Sequence, residues 1–275
     1  MISLTRKMDS PHSGILFPDP HPVTSEPDSH SMEAIASMID HTLLKPEATQ
    51  QDLGRICEEA RQYSFASVCV NPCWVPLVAE QLRGSTVRVC TTVGFPLGAN
   101  QTRIKVAEAG LALTQGAKEI DMVQNVGAMR SGDLDLVRQE IKELAELTHI
   151  NGGILKVILE TSLLTEAEKV IACTIAMEEK ADFVKTSTGF SSGGATVANI
   201  QLMRRIVGSK LGVKASGGVR TWAAFQEMVA AGASRIGTSS GVVILKEAAD
   251  SQSAGRPGTK LSSGREPTAP ALDNY

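Results

Sequence analysis

The sequence predicts an α/β protein built as a parallel (β/α)8 TIM barrel, and three observations carry that reading. Short apolar runs alternate with longer amphipathic segments eight times between Met32 and Lys246. Each apolar run has strand length and few polar residues, as in a parallel sheet covered on both faces. No Gly-x-Gly-x-x-Gly follows the first run, and eight regular units exceed what a doubly wound open sheet, the runner-up, needs. One barrel domain is therefore expected over 32–248. Residues 1–31, rich in Pro, Ser, His and Asp, read as a flexible N-terminal extension, and 249–275 as a flexible C-terminal tail.

The units follow in order. Met38–Leu43 is the first strand, and Thr49 is placed to cap a helix running through Arg55, Ile56, Ala60 and Tyr63. Ser67–Val70 is the second, followed after Asn71-Pro72 by a helix through Val78 to Leu82. Val87–Val93 is the third, closing on the turn Gly94-Phe95-Pro96-Leu97-Gly98 before a helix from Gln101 to about Gln115. Glu119–Val123 is the fourth, with a helix from Asp133 to about Leu147. Ile154–Leu159 and the helix Glu166–Glu179 form the fifth unit, Phe183–Lys185 and Val197–Val207 the sixth. Gly212–Ser216 with Trp222–Ala231, and Arg235–Gly237 with a helix from Ser239 to about Ala248, complete the set.

Composition narrows the function. A chain of 275 residues with 42% hydrophobic residues and net charge −3 can bury a full core, and its scattered basic residues argue against nucleic-acid binding. No apolar run is long enough to span a membrane and no signal peptide opens the chain, so a cytoplasmic location and no membrane partner are expected. Cys57, Cys69, Cys73, Cys90 and Cys173 fit neither a zinc site nor a Cys-x-x-Cys pair, and read as reduced, mostly core thiols. With His12, His21 and His30 in the N-terminal extension, His41 and His149 stand alone, so no catalytic metal is expected.

In such a barrel the chemistry sits at the C-terminal ends of the strands. Lys156, Lys185 and Lys214 fall on strands five, six and seven at equal spacing, which would aim them into one barrel mouth. Burial and mutual repulsion would lower at least one ammonium pKa and free an amine nucleophile. The alternative is that each lysine snorkels to solvent. Asp121, on strand four, is either a proton-transfer partner for a lysine or an ion-pair anchor. Asp40 could orient a lysine or a water, or cap the backbone of Thr42 to Leu44. Cys69 reads as a small residue shaping the pocket. Gly217-Gly218 after strand seven, Gly237–Gly241 after strand eight and Gly189 after strand six suit an anion cradle, because glycines admit close backbone approach and helix N-termini offer unpaired N–H groups.

Taken together, Ile39–Pro46, Gly94–Gly98, Glu119–Val123, Leu155–Thr161, Lys185-Thr186-Ser187-Thr188-Gly189-Phe190 and Lys214–Arg220 resemble the class I, Schiff-base 2-deoxyribose-5-phosphate aldolases over residues 32–246. The resemblance implies reversible cleavage of 2-deoxy-D-ribose 5-phosphate to D-glyceraldehyde 3-phosphate and acetaldehyde, without metal or organic cofactor. It implies Lys185 as the imine-forming lysine and Asp121 and Lys214 as proton donors and acceptors, Lys214 also perturbing the neighbouring amine. It implies a phosphate site around Gly218 and Ser239, read here as Gly189, Gly217, Gly218, Ser239 and Ser240; Lys156, Asp40, Cys69 and Thr188 are read as supporting residues of the site as a whole. Small molecules are the expected partners, in a homo-oligomer, dimer or tetramer. Phe190 departs from members with lysine there and removes one cation from the phosphate end; Gln124-Asn125 is also unusual. Tyr275 is either a proton donor folded over the mouth or part of a disordered terminus. A different phosphosugar substrate, a transaldolase-like donor or a sensing barrel without turnover are the rival readings.

Overall fold

The computed structural model describes residues 31–254. The expectations for residues 1–30, for most of the C-terminal tail and for Tyr275 lie outside them. Eight strands pair in sequence order and close into a parallel barrel: β1 (Ile39–Leu43), β2 (Ser67–Val70), β3 (Arg88–Val93), β4 (Glu119–Val123), β5 (Ile154–Ile158), β6 (Phe183–Lys185), β7 (Gly212–Ser216) and β8 (Arg235–Thr238). β1 bonds to β8 through Ile39 with Ile236 and Asp40 with Gly237, so no edge remains.

The helices follow from caps and apolar faces. α1 (Met32–Ala36) precedes the barrel, capped by the Ser31 side chain accepting from Ala34 N. α2 (Gln50–Tyr63) opens with a capping box in which Thr49 and Asp52 satisfy each other's backbone N–H, and it buries Leu53, Ile56, Cys57 and Ala60. α3 (Val75–Gln81) and α4 (Thr102–Thr114) follow. Between β4 and α6 (Leu134–Ile150) lies α5 (Val126–Ser131), a helix the sequence reading passed over. The Asn125 side chain accepts from Ala128 N at its start, which gives the unusual Gln124-Asn125 pair a structural role. α7 (Glu166–Glu178), α8 (Val197–Val207) and α9 (Trp222–Ala230) lie within a residue of expectation. α10 (Gly241–Ala254) starts after the expected Ser239 and runs past Ala248 into what was read as tail. Ser251 and Ser253 donate back to the carbonyls of Glu247 and Ala249, so these polar residues continue the helix, and no glycine or proline interrupts it before Gly255.

Alternation along each strand separates two cores. Ile120, Met122, Leu155, Val157, Val184, Val213 and Ile236 are buried against the helices. The opposite face of the same strands carries Asp40, Cys69, Cys90, Glu119, Asp121, Lys156, Lys185 and Lys214, all buried. Side chains from β1, β4, β5, β7 and β8 touch one another there, which only the barrel interior permits. An interior usually filled by branched apolar residues is here an ionic column.

Candidate active site

Register sets the heights in this column. Lys185 pairs with Lys214 on β7 and with Ile158 on β5, whereas Lys156 pairs with Asp121 on β4 and with Phe183 on β6. Lys156 therefore sits two residues deeper than Lys185. Its ammonium nonetheless converges with those of Lys185 and Lys214.

One carboxylate joins all three. Asp121 Oδ2 accepts from Lys185 Nζ at 2.8 Å and from Lys214 Nζ at 2.6 Å, while Oδ1 accepts from Lys156 Nζ at 2.8 Å. Asp40 Oδ2 lies 2.5 Å from Lys214 Nζ, and Oδ1 lies 2.5 Å from Arg235 Nη1 and 2.6 Å from Ser67 Oγ. The Asp40 side chain thus holds cations; at Thr42 the bond runs from the hydroxyl to the Asp40 carbonyl instead. Below them Glu119 Oε2 meets Lys156 Nζ at 2.6 Å and Arg235 Nη1 at 3.2 Å. Glu119 and Arg235 were read only as strand residues. Their signal was present, as charges at alternating positions of otherwise apolar strands.

The expected lowering of ammonium pKa by mutual repulsion is reversed for two of the lysines. Burial alone would lower Lys156 and Lys214, yet Asp121 and Asp40 outweigh it and hold both above the ordinary lysine value. Burial would likewise raise Asp121, but Lys156, Lys185 and Lys214 keep it well below the usual carboxylate range; Lys156, Lys214 and Arg235 do the same for Asp40. The sequence reading weighed Asp121 and Asp40 as lysine partners but overlooked Glu119. Among the described residues Lys156 meets three carboxylates, Lys214 two and Lys185 one.

Cys69 and Cys90 are register partners on β2 and β3. Cys90 Sγ also lies 3.3 Å from Asp121 Oδ1 and 3.4 Å from Lys156 Nζ. Contact with Cys90 pushes the Cys69 thiol down, whereas burial pushes Cys90 well up.

The loop after Lys185 is fixed by Glu160, which sequence reading quoted without a role. Glu160 is 3% exposed and adopts a left-handed backbone, φ 54°, ψ 63°, an uncommon conformation for a residue with a side chain. Its Oε2 accepts from Thr188 N at 3.2 Å and from the Thr188 hydroxyl, while burial raises its pKa. Beyond Thr188 a cavity of about 330 Å³ is lined by Gly189, Ser191, Gly194, Gly217, Gly218 and Arg220. Gly217 (φ 87°) and Gly194 pack backbone to backbone, and a Cβ on Gly194 would fall 2.3 Å from the Gly217 carbonyl oxygen. Ser239 and Ser240 do not line this cavity; they lie at the entry to α10, where Ser240 N donates to Thr238 Oγ1. Arg220 supplies a cation that the sequence reading missed. Phe190 instead packs edge-on against Phe95, ring centroids 5.2 Å apart.

The arrangement is a glycine-lined cavity with Arg220 in its wall, and a buried amine paired with one carboxylate. Residues 34–250 match the profile of the DeoC/LacD family aldolases. A deoxyribose-phosphate aldolase from Brevibacillus brevis is 59% identical over 208 residues, covering 75% of this chain and 93% of that protein. The enzyme of the same name from Caldanaerobacter subterraneus is 55% identical over 218 residues, covering 79% and 94%. The structure of a tetrameric deoxyribose phosphate aldolase from Aeropyrum pernix superposes with TM-score 0.74 at 34% identity, covering 78% of this chain and 91% of that one. Among the described residues no helix is long and apolar enough to cross a membrane.

Proposed function

Because this chain belongs to the DeoC/LacD aldolase family, we propose that it is a deoxyribose-phosphate aldolase: a lyase cleaving 2-deoxy-D-ribose 5-phosphate reversibly to D-glyceraldehyde 3-phosphate and acetaldehyde through an imine on Lys185. The observation that carries the residue assignment is that Lys185 and Lys214 both reach one oxygen of Asp121. The free amine of Lys185 adds to C1 of the open-chain aldehyde, and loss of water gives a cationic imine. That cation accepts the electron pair of the C2–C3 bond as it breaks. Asp121, held beside Lys214, takes the C3 hydroxyl proton and later returns it to the enamine carbon. Hydrolysis frees acetaldehyde and the amine.

Asp40 and Lys156 hold Lys214 and Asp121 in place from below. At the other end of the substrate the phosphate lies in the cavity between Gly189 and Gly217-Gly218, with Arg220 as its cation. The chemistry needs no metal or organic cofactor, since the imine is itself the electron sink. A homo-oligomer is the assembly we favour, by analogy with the tetrameric Aeropyrum pernix relative.

Incubation with deoxyribose 5-phosphate and borohydride, followed by intact mass and peptide mapping, tests the assignment. A reduced two-carbon or five-carbon adduct on Lys185 is expected. An adduct on Lys214, or turnover without any adduct, would overturn it.

A further inference from the structure

Deep in the column, Cys69 Sγ, Cys90 Sγ and a carboxylate oxygen of Asp121 all lie within 4.8 Å of one another, and all three residues are fully buried. The other cysteines offer no such grouping: Cys57 and Cys173 are buried apart from it, their thiols pushed up by burial to about 11 and about 12, and Cys73 is exposed. We propose that Cys69, Cys90 and Asp121 form a site for a soft divalent metal, zinc or cadmium, whose occupation reversibly shuts off the barrel.

The spacing suits such an ion. Metal–sulfur bonds of about 2.3 Å and metal–oxygen bonds of about 2.0–2.2 Å at a tetrahedral angle place sulfur and oxygen about 3.5 Å apart. Cys90 Sγ and Asp121 Oδ1 already stand at 3.3 Å. Cys69, the register partner of Cys90, offers the third ligand from within 4.8 Å of the other two, with the fourth position left to water.

Ammonium groups surround the site, but binding leaves its net charge unchanged. Binding breaks two S–H bonds, forms two S–metal bonds and releases two protons to solvent. Before binding, two thiols and one carboxylate carry one negative charge. Afterwards two thiolates, one carboxylate and a divalent ion also sum to one negative charge. Lys156, Lys185 and Lys214 therefore face the same total. What changes is the carboxylate: bound to a divalent cation, Asp121 is a poor proton acceptor and a weaker partner for both lysines on its Oδ2. Metal binding stands independently of the aldolase reading; shut-off rests on it.

Titration of the reduced protein with cadmium chloride tests both halves. One ion per chain is expected, with a thiolate-to-cadmium absorption band that disappears in Cys69→Ala and in Cys90→Ala and persists in Cys73→Ser. Cys90→Ser, which preserves volume, serves if the alanine variant does not fold. Turnover of deoxyribose 5-phosphate should fall at least ~10-fold as the band grows and return with a chelator. No band, or a band that survives loss of Cys90, overturns the site. A band with unchanged turnover overturns the shut-off. Should the protein show no turnover at all, the aldolase reading fails while the band still judges the metal site.

Discussion

Two buried lysine sites in this molecule behave in opposite ways. Inside the barrel, Lys156 and Lys214 each meet more than one carboxylate, and the carboxylates outweigh burial. Outside it, between α4 and α6, Lys105 is equally inaccessible but has one carboxylate at hand, Glu140 at 2.6 Å, along with the Val123 carbonyl at 2.8 Å. There burial wins, lowering Lys105 and raising Glu140 toward their neutral forms. At these lysines the balance between carboxylate contacts and burial sets the direction of the shift. A buried lysine is thus not in itself a catalytic one: Lys105 ties the end of β4 to α6, with Glu140 also accepting from Asn125 N, and it faces no cavity of the barrel mouth.

The largest effect separates the two sites by function. Replacing Lys185 by alanine should cut kcat by at least about 10⁴-fold, as removal of a covalent nucleophile does elsewhere, and abolish the borohydride adduct. Lys105→Met should leave the adduct on Lys185 intact. An adduct lost in Lys105→Met at full folding would erase the distinction. The second effect separates them by stability. Lys105→Met strands Glu140 and should cost about 3–5 kcal/mol in urea unfolding, much of it recovered in Lys105→Met/Glu140→Leu, because replacing both members removes the uncompensated charge.

How far the sequence revealed each site follows the same division. Lys185, Lys214 and Asp121 stood out because charges on short apolar strands break an alternation that otherwise reads cleanly. Lys105 did not, since Arg103-Ile104-Lys105-Val106 on a helix looks like any amphipathic surface. The order of the eight strand-helix units was legible, from Thr49 at one cap to Phe183–Lys185, but the short α5 between β4 and α6 was not. The layer assignment of Lys156 was not, because height in a barrel depends on inter-strand stagger, which leaves no trace in local pattern. Nor was Glu160, whose role depends on a left-handed backbone and on contact with Thr188 across the sheet.

Acid sharpens the comparison through the sign of its effect. Asp40 and Asp121 have folded pKa values below their unfolded ones, so they stabilise the fold above pH ~4 and this contribution is lost as pH falls. Glu140 is raised in the fold, so its contribution runs the other way, weakening as pH rises from its unfolded value through its folded one. Each proton of difference is worth up to about 1.4 kcal/mol per pH unit. In urea midpoints measured from pH 3 to pH 7, Asp40→Asn should flatten the acid slope and Glu140→Gln should steepen it. Equal changes of slope would mean that the two sites do not differ.

The smallest effect concerns Glu160, which shares features of both sites: one buried carboxylate, raised like Glu140, but set beside the loop that follows Lys185. Its left-handed backbone costs about 1–2 kcal/mol for a residue with a side chain, and glycine relieves that cost. Glu160→Gly should therefore unfold within about 1 kcal/mol of the parent, strain relief offsetting the lost bonds to Thr188. Thr188 precedes Gly189 in the cavity wall, so the loss should appear at the end proposed to hold the phosphate. KM for deoxyribose 5-phosphate should rise about 5–10-fold with little change in kcat, a cost of about 1 kcal/mol in the binding of one end of the substrate. Activity on unphosphorylated deoxyribose, which does not engage that cavity, should be nearly unchanged. Glu160 would belong with the proton-transferring column instead if kcat fell equally on both sugars, because a group acting at the reacting carbons cannot distinguish substrates by their far ends.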